Sequence, residues 1–226
     1  MRAAKLKGMG SVAASLQHCY RERETENADA ALTPDNEHYG AKSTDEAMGK
    51  VRELLPEKRR KDAVLAVEYV LTASPEWWET ATEEQQADFF ARSRQWLADK
   101  YGAENIVTAT IHRDETSPHM SAYVVPITSD GRLSAKDFIG GKVKLGRDQT
   151  TFAKAVEDLG LDRGLQGSKA RHQTIKDHYA AISKPLEEAV EIDPSDLKPL
   201  KLKPETFLQR FFPSKESAED IARRLS

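Results

Sequence analysis

Apolar residues recur along this chain with two different periods, and the switches between them outline its elements. In GSVAASLQHCYRER, residues 10–23, Val12, Leu16 and Cys19 stand at helical spacing behind Ser11, read as an N-cap, so a short helix carrying His18 is predicted. NADAALTPDNEHYGAKS, 27–43, holds turn formers without a period and predicts a long surface loop. DAVLAVEYVLT, 62–72, is β-branched and apolar and runs into Ser74 and Pro75, as a buried strand does. At 82–85 TEEQ has capping-box order, and Phe89, Phe90, Trp96, Leu97 and Tyr101 then share one helix face up to Gly102.

NIVTATIH, 105–112, and HMSAYVVPI, 119–127, both read as strands, and the short RDETSP between them predicts an antiparallel pair. Asp130 and Gly131 turn the chain. LSAKDFIGG then leads to a helix from about Asp148 whose apolar face is Phe152, Ala155, Val156 and Leu159, stopped by Gly160. A last core helix is expected from near Ser168, burying Ile175, Tyr179 and Ile182. Beyond it the prolines of KPLEEAVEIDPSDLKPLKLKP predict a linker and then a short amphipathic piece. The chain therefore divides into a domain at 1–183 and a linker with the start of a helical region at 184–226. Strands that pair antiparallel, interleaved with helices, make the fold α+β rather than doubly wound.

Composition narrows the chemistry. The 226 residues are 38% hydrophobic and 31% charged, enough for one domain with a real core. No apolar run is long enough to span a membrane and MRAAKLKGMG lacks a signal-peptide core, so a cytoplasmic location is expected. With Cys19 the single cysteine, an intrachain disulfide and a cysteine-rich zinc site are excluded, and any metal must lean on histidine, carboxylate and water. Net charge is −3, yet the charges segregate. Basic residues gather at 1–23, in KRRK at 58–61 and across 132–176, while acids gather at 76–88 and 187–196, so a basic face on a mildly acidic protein is possible.

HRDETSPHM, 112–120, concentrates two of the six histidines beside two acids. If the flanking strands pair, His112 ends one and His119 begins the other, and both rings meet at one sheet edge where they can reach a single cation. Position 121 shares a face with 119 and would supply a third ligand, but it is Ser121. A hydroxyl suits Zn²⁺ poorly and Mg²⁺ or Mn²⁺ better, with water or a carboxylate completing the shell. Glu115 can orient a ligand or take a proton. The alternative is that both histidines merely hydrogen-bond backbone and loop. HExxH is absent, which removes the main support for a protease.

HRDETSPHM together with SAYVVP resembles the third motif of the MobV-type plasmid mobilisation relaxases, the Mob/Pre plasmid recombination enzymes. AAKLKGMGSVAASLQHCYRERET resembles the family's first motif, and NADAALTPDNEHYG with RRKDAVLAVEYVLT its second. LSAKDFIGGKVKLGRDQTTFAKAVEDLGLDRGLQGSKARHQT is similar to the continuation of such proteins past the third motif, so the likeness spans about 1 to 180. The resemblance implies an HUH relaxase-like fold, a ferredoxin-like antiparallel β-sheet packed with α-helices. It implies a divalent cation, Mn²⁺ or Mg²⁺, held by His112 and His119, with the family's third histidine falling on Ser121. His18 is the implied nucleophile, with Glu115 assisting, and Tyr20 is its rival. The expected partner is plasmid origin-of-transfer DNA, single-stranded or hairpin. One strand would be nicked and rejoined through a covalent 5′-phosphoryl protein.

Arg21 and Arg23, close after His18, are expected to clamp phosphates, and Arg59, Arg60, Lys61, Lys169 and Arg171 to contact the DNA backbone. Two other functions fit the same residues: an origin- or promoter-binding regulator with little nicking, and a rolling-circle replication initiator. The chain stops at IARRLS as another amphipathic segment begins, so a longer protein is expected, with a homodimer formed through the part missing here.

Overall fold

The computed structural model describes residues 1–164, within a compact unit formed by Met1–Ser168. The helix expected from Ser168, the boundary at 183, and Lys169 and Arg171 lie outside the described residues. Strands β1 (Arg2–Leu6), β2 (Glu37–Gly40), β3 (Ala66–Leu71), β4 (Ile106–His112) and β5 (His119–Val124) form one sheet in the order β1-β3-β5-β4-β2, every pairing antiparallel. The fold is α+β, as expected. Helices α1 (Met9–Cys19) and α2 (Thr44–Leu54) cover one face, and α3 (Pro75–Thr80), α4 (Glu83–Tyr101), α5 (Ala135–Ile139) and α6 (Gly141–Ala155) cover the other.

Strand alternation divides the core between the two faces. Val67, Tyr69 and Leu71 of β3 and Met120, Ala122 and Val124 of β5 pack against Phe89, Phe90, Trp96 and Phe152, while Val12, Leu16 and Cys19 of α1 pack with Ala66 and Tyr123 on the opposite side. Helix α4 opens with the expected capping box, Thr82 and Gln85 exchanging bonds, and ends at Gly102 with φ 84°.

The structure corrects several local expectations. The N-cap of helix α1 is Gly8, three residues before the expected Ser11, and the Ser11 hydroxyl reaches back to donate to the Gly8 carbonyl at 2.7 Å. The stretch expected as loop contains β2, a four-residue edge strand too short to show a period, paired through His38 to Thr110. Helices α2, α3 and α5 are additions to the elements expected from the sequence. In α2 the local signals are Ser43, whose side chain accepts from the Glu46 amide at 3.2 Å, and buried Ala47, Met48 and Val51. Helix α6 starts at Gly141 rather than Asp148, because its first two turns carry Lys142, Lys144, Arg147 and an exposed Val143 and show no apolar stripe.

Candidate active site and metal centre

His112 and His119 are directly opposite one another across β4 and β5, with ring centroids 4.8 Å apart. Both lie on the α1 face at the sheet end where β3 and β4 finish and β5 begins. His112 is buried, and its pKa is pushed down to about 3, first by burial and then by the neighbouring His119 and Arg21 charges. Its Nδ1 has no hydrogen-bond partner and stands 3.7 Å from Asp114 Oδ1, while Nε2 lies 3.6 Å from the Cys19 sulfur. His119 is half-buried, and its Nδ1 lies 3.1 Å from the Ser117 carbonyl, an oxygen that can only accept, so Nδ1 carries the proton and Nε2 keeps its lone pair. An orphaned buried nitrogen beside a second imidazole with a free lone pair fits a cation.

Ser121 faces Thr110 of β4 and Val70 of β3, neither of which replaces a third imidazole. Among the described residues no three His, Cys, Asp or Glu side chains converge as a ligand set. Two histidines with oxygen ligands from water suit Mn²⁺ or Mg²⁺ better than Zn²⁺.

Helix α1 lies across this edge and delivers His18 to it. Cys19, the next residue, touches His112, and the charges of His18 and His112 act on one another. His18 is half-buried, with Nδ1 3.3 Å from Thr25 Oγ1. Burial and then Arg21 lower its pKa, partly opposed by Glu115. Tyr20 points elsewhere. Its hydroxyl donates to the Ala41 carbonyl at 2.7 Å and burial raises its pKa, so it is a poor phenolate source.

Glu115 has both oxygens engaged, Oε1 by Arg21 and Oε2 by Asn27, each at 2.7 Å. The Arg21 guanidinium, expected to clamp phosphate, is engaged by protein here, donating to Asp114 through Nε at 2.8 Å and Nη2 at 2.6 Å. Arg23 is exposed close to His18. Arg59, Arg60 and Lys61 are exposed too, but they lie at the opposite end of β3, where Leu65 meets Leu6, roughly 17 Å of strand from the histidines. Arg60 pairs with Asp62 at 2.7 Å.

Three residues that sequence reasoning passed over belong to the site. Asp114 is buried inside the HRDETSPHM motif and collects Arg21, Thr33 and Asn36. Burial would raise its pKa, but those donors hold it well below the usual carboxylate range. Thr25 buttresses His18. Glu68 of β3 accepts from Ser15 and Tyr123, each at 3.0 Å, and its charge reaches His18. The available signal for Glu68 is a lone acid within an apolar strand.

Comparison with known proteins gives this arrangement a context. Residues 1–180 match the Mob/Pre family, described as plasmid recombination enzyme. A 65 kDa protein of Zymomonas mobilis is 35% identical over 205 residues, covering 88% of this chain and 34% of that protein. Plasmid recombination enzyme type 3 of Staphylococcus aureus is 38% identical over 125 residues, 54% of this chain and 30% of that protein. The chain thus spans about a third of the length of these curated relatives. Among solved structures, the Mn-bound MobM relaxase domain in complex with plasmid pMV158 oriT DNA superposes with a TM-score of 0.70 at 30% identity, covering 80% of this chain and 97% of that one.

Proposed function

The chain belongs to the Mob/Pre plasmid recombination enzyme family, and on that premise we propose that it is a relaxase domain that nicks and rejoins one strand of a plasmid origin of transfer. The observation that carries this reading is the pairing of His112 and His119 across the β4–β5 hairpin, ring centroids 4.8 Å apart, with Cys19, the neighbour of His18 on α1, against His112. The origin DNA and Mn²⁺ bound by the MobM relaxase domain support the choice of substrate and cofactor.

His112 and His119 would hold the cation, which when bound polarises the scissile phosphate and stabilises its developing charge, an effect worth several kcal/mol. His18 is the nucleophile. The Thr25 hydroxyl has one proton, and when it donates it to the Arg23 carbonyl at 3.3 Å its oxygen can accept from His18 Nδ1–H. That tautomer leaves the Nε2 lone pair for phosphorus. The P–N bond forms as the P–O3′ bond breaks, and the leaving 3′ oxygen takes a proton from solvent water to become a hydroxyl. The 5′ phosphate stays on His18, and the reverse attack by a 3′ hydroxyl rejoins the strand. Glu115 opposes the burial and the Arg21 charge that lower the His18 pKa, which steadies the cationic ring as positive charge grows on attack. Arg23, and further off Arg59, Arg60 and Lys61, are the phosphate contacts of this reading, with Lys169 and Arg171 added from beyond the described residues.

The thin ligand set around Ser121 favours one rival, an origin-binding regulator that grips DNA without cutting it. Incubation with Mn²⁺ and supercoiled DNA of the replicon that carries this gene separates the two. We expect relaxed circles with protein attached to the 5′ end, lost in His18→Ala and kept in Tyr20→Phe. Tight binding without nicking supports the regulator, and an adduct lost only in Tyr20→Phe reverses the nucleophile.

A further inference from the structure

We propose that Asp114 is the positioning residue of this site, setting the nucleophile's helix against the metal-side hairpin, with Arg21 as the strut through which it acts. This rests on the relaxase reading for its consequence in catalysis, and on geometry alone for the placement.

Asp114 lies two residues past the end of β4, and its side chain is fully buried. The fork of Arg21 grips it from the end of α1, Nη2 on Oδ1 and Nε on Oδ2. Oδ2 also accepts from Thr33 Oγ1 at 3.1 Å and Asn36 Nδ2 at 2.8 Å, and the Asp114 carbonyl accepts the Asp29 amide at 2.7 Å. One residue thereby ties together α1, the loop crossing the site and the strand that carries His112.

The strut reaches the nucleophile itself. Arg21 Nη1 donates to the His18 carbonyl at 3.0 Å, and Nη2 also meets Glu115. Four donor contacts on protein, with the side chain only 8% exposed, leave little of this guanidinium for DNA. Arg21 also holds φ at 56°, the left-handed region that a non-glycine residue rarely adopts. Such a conformation persists where the surroundings over-determine it, and here the clamp on its side chain does so. The chain of contact runs from Asp114 through Arg21 to the His18 backbone, while Asp114 Oδ1 stands 3.7 Å from His112 Nδ1. A single carboxylate borders both halves of the reaction centre.

Asn is the informative substitution because it keeps the size. Its amide nitrogen would turn a donor toward donors of Arg21, Thr33 or Asn36, so the fork cannot close as before. The test compares the parent with Asp114→Asn, Arg21→Gln and the double variant, using supercoiled DNA of the chain's own replicon for single-turnover nicking. In parallel, Mn²⁺ broadening of the His18 and His119 ring signals reports their distances from the ion. We expect each single variant to lower the saturated nicking rate tenfold or more, with half-saturating DNA changed less than threefold. Broadening should weaken at His18 and persist at His119, and the double variant should be no slower than the worse single one. Arg21→Lys, which keeps the charge without the fork, should show the same signature more weakly and serves if Asp114→Asn does not fold. Unchanged His18 broadening, unchanged nicking, or losses that multiply in the double variant would each overturn the proposal. A parent that binds Mn²⁺ but never nicks defeats the relaxase reading, and the broadening comparison still decides the placement.

Discussion

Acidifying the metal-free protein from pH 7 to pH 5 should cost it stability mainly through His112. In the unfolded chain this imidazole titrates near its ordinary value of about 6.5. In the folded protein it is 1% exposed and stays neutral down to about 3. The folded pKa is depressed, so the unfolded state takes up the proton first as pH falls, and stability is complete above about 6.5 and drains away toward 3. At pH 5 the gap covered is roughly 1.5 units, which at about 1.36 kcal/mol per unit is about 2 kcal/mol. For a domain of this size that corresponds to a fall in Tm of roughly 4–8 °C. The Asp114 carboxyl, held low in the folded protein, titrates at about 3.9 in the unfolded chain, so its contribution is lost only below about pH 4, outside the window. His18 and His38 are lowered as well, so the measurement is a difference between proteins. Thermal melts in chelator at pH 7 and pH 5 should show the parent losing those extra degrees relative to His112→Asn. Equal losses in the two proteins would refute the reasoning. Adding Mn²⁺ at pH 7 should raise the parent's Tm and leave the variant's nearly unchanged, because only a ligand that binds the folded site shifts the equilibrium.

Single-turnover nicking should fall as pH drops through the His18 pKa, and that acid limb should lie below pH 6.5, since burial and Arg21 both lower the value; a limb above 6.5 contradicts the neutral-imidazole nucleophile. Replacing Arg59, Arg60 and Lys61 by alanine should weaken DNA binding to a similar degree on all sequences and flatten the salt dependence by up to about one unit per lost phosphate contact, without changing the cleavage rate at saturation. Phe89→Ala removes a fully buried ring packed against Trp77, Trp78, Phe90 and Phe152 and should cost about 3–5 kcal/mol of unfolding free energy in denaturant, with Mn²⁺ affinity preserved in the folded fraction.

The range of each interaction decides whether it is legible in the sequence. The capping box of α4, the alternation of β4 and β5 and the apolar run of β3 are local patterns written within a dozen residues, and each element forms within the stretch its pattern marks, β3 over Ala66–Leu71 of 62–72 and β5 over His119–Val124 of 119–127. The pairing of His112 with His119 is a consequence of those patterns, because a short antiparallel connection leaves little choice of register. Strand β2 cannot be read this way. Its four residues have no period of their own and are strand only because β4 offers them an edge. The roles of Arg21 and Asp114 are hidden for the same reason at longer range. An arginine three residues after His18 invites the reading of a phosphate clamp, and only the fold brings it to a carboxylate 93 residues away. Once Asp114 is buried there, Arg21, with Asn36 and Thr33, favours its ionised form, and moving the guanidinium to a DNA phosphate would strip a buried charge of its ionic partner. On the proposed reading Arg21 would serve the reaction by holding His18, and the grip on DNA would fall to exposed cations such as Arg23.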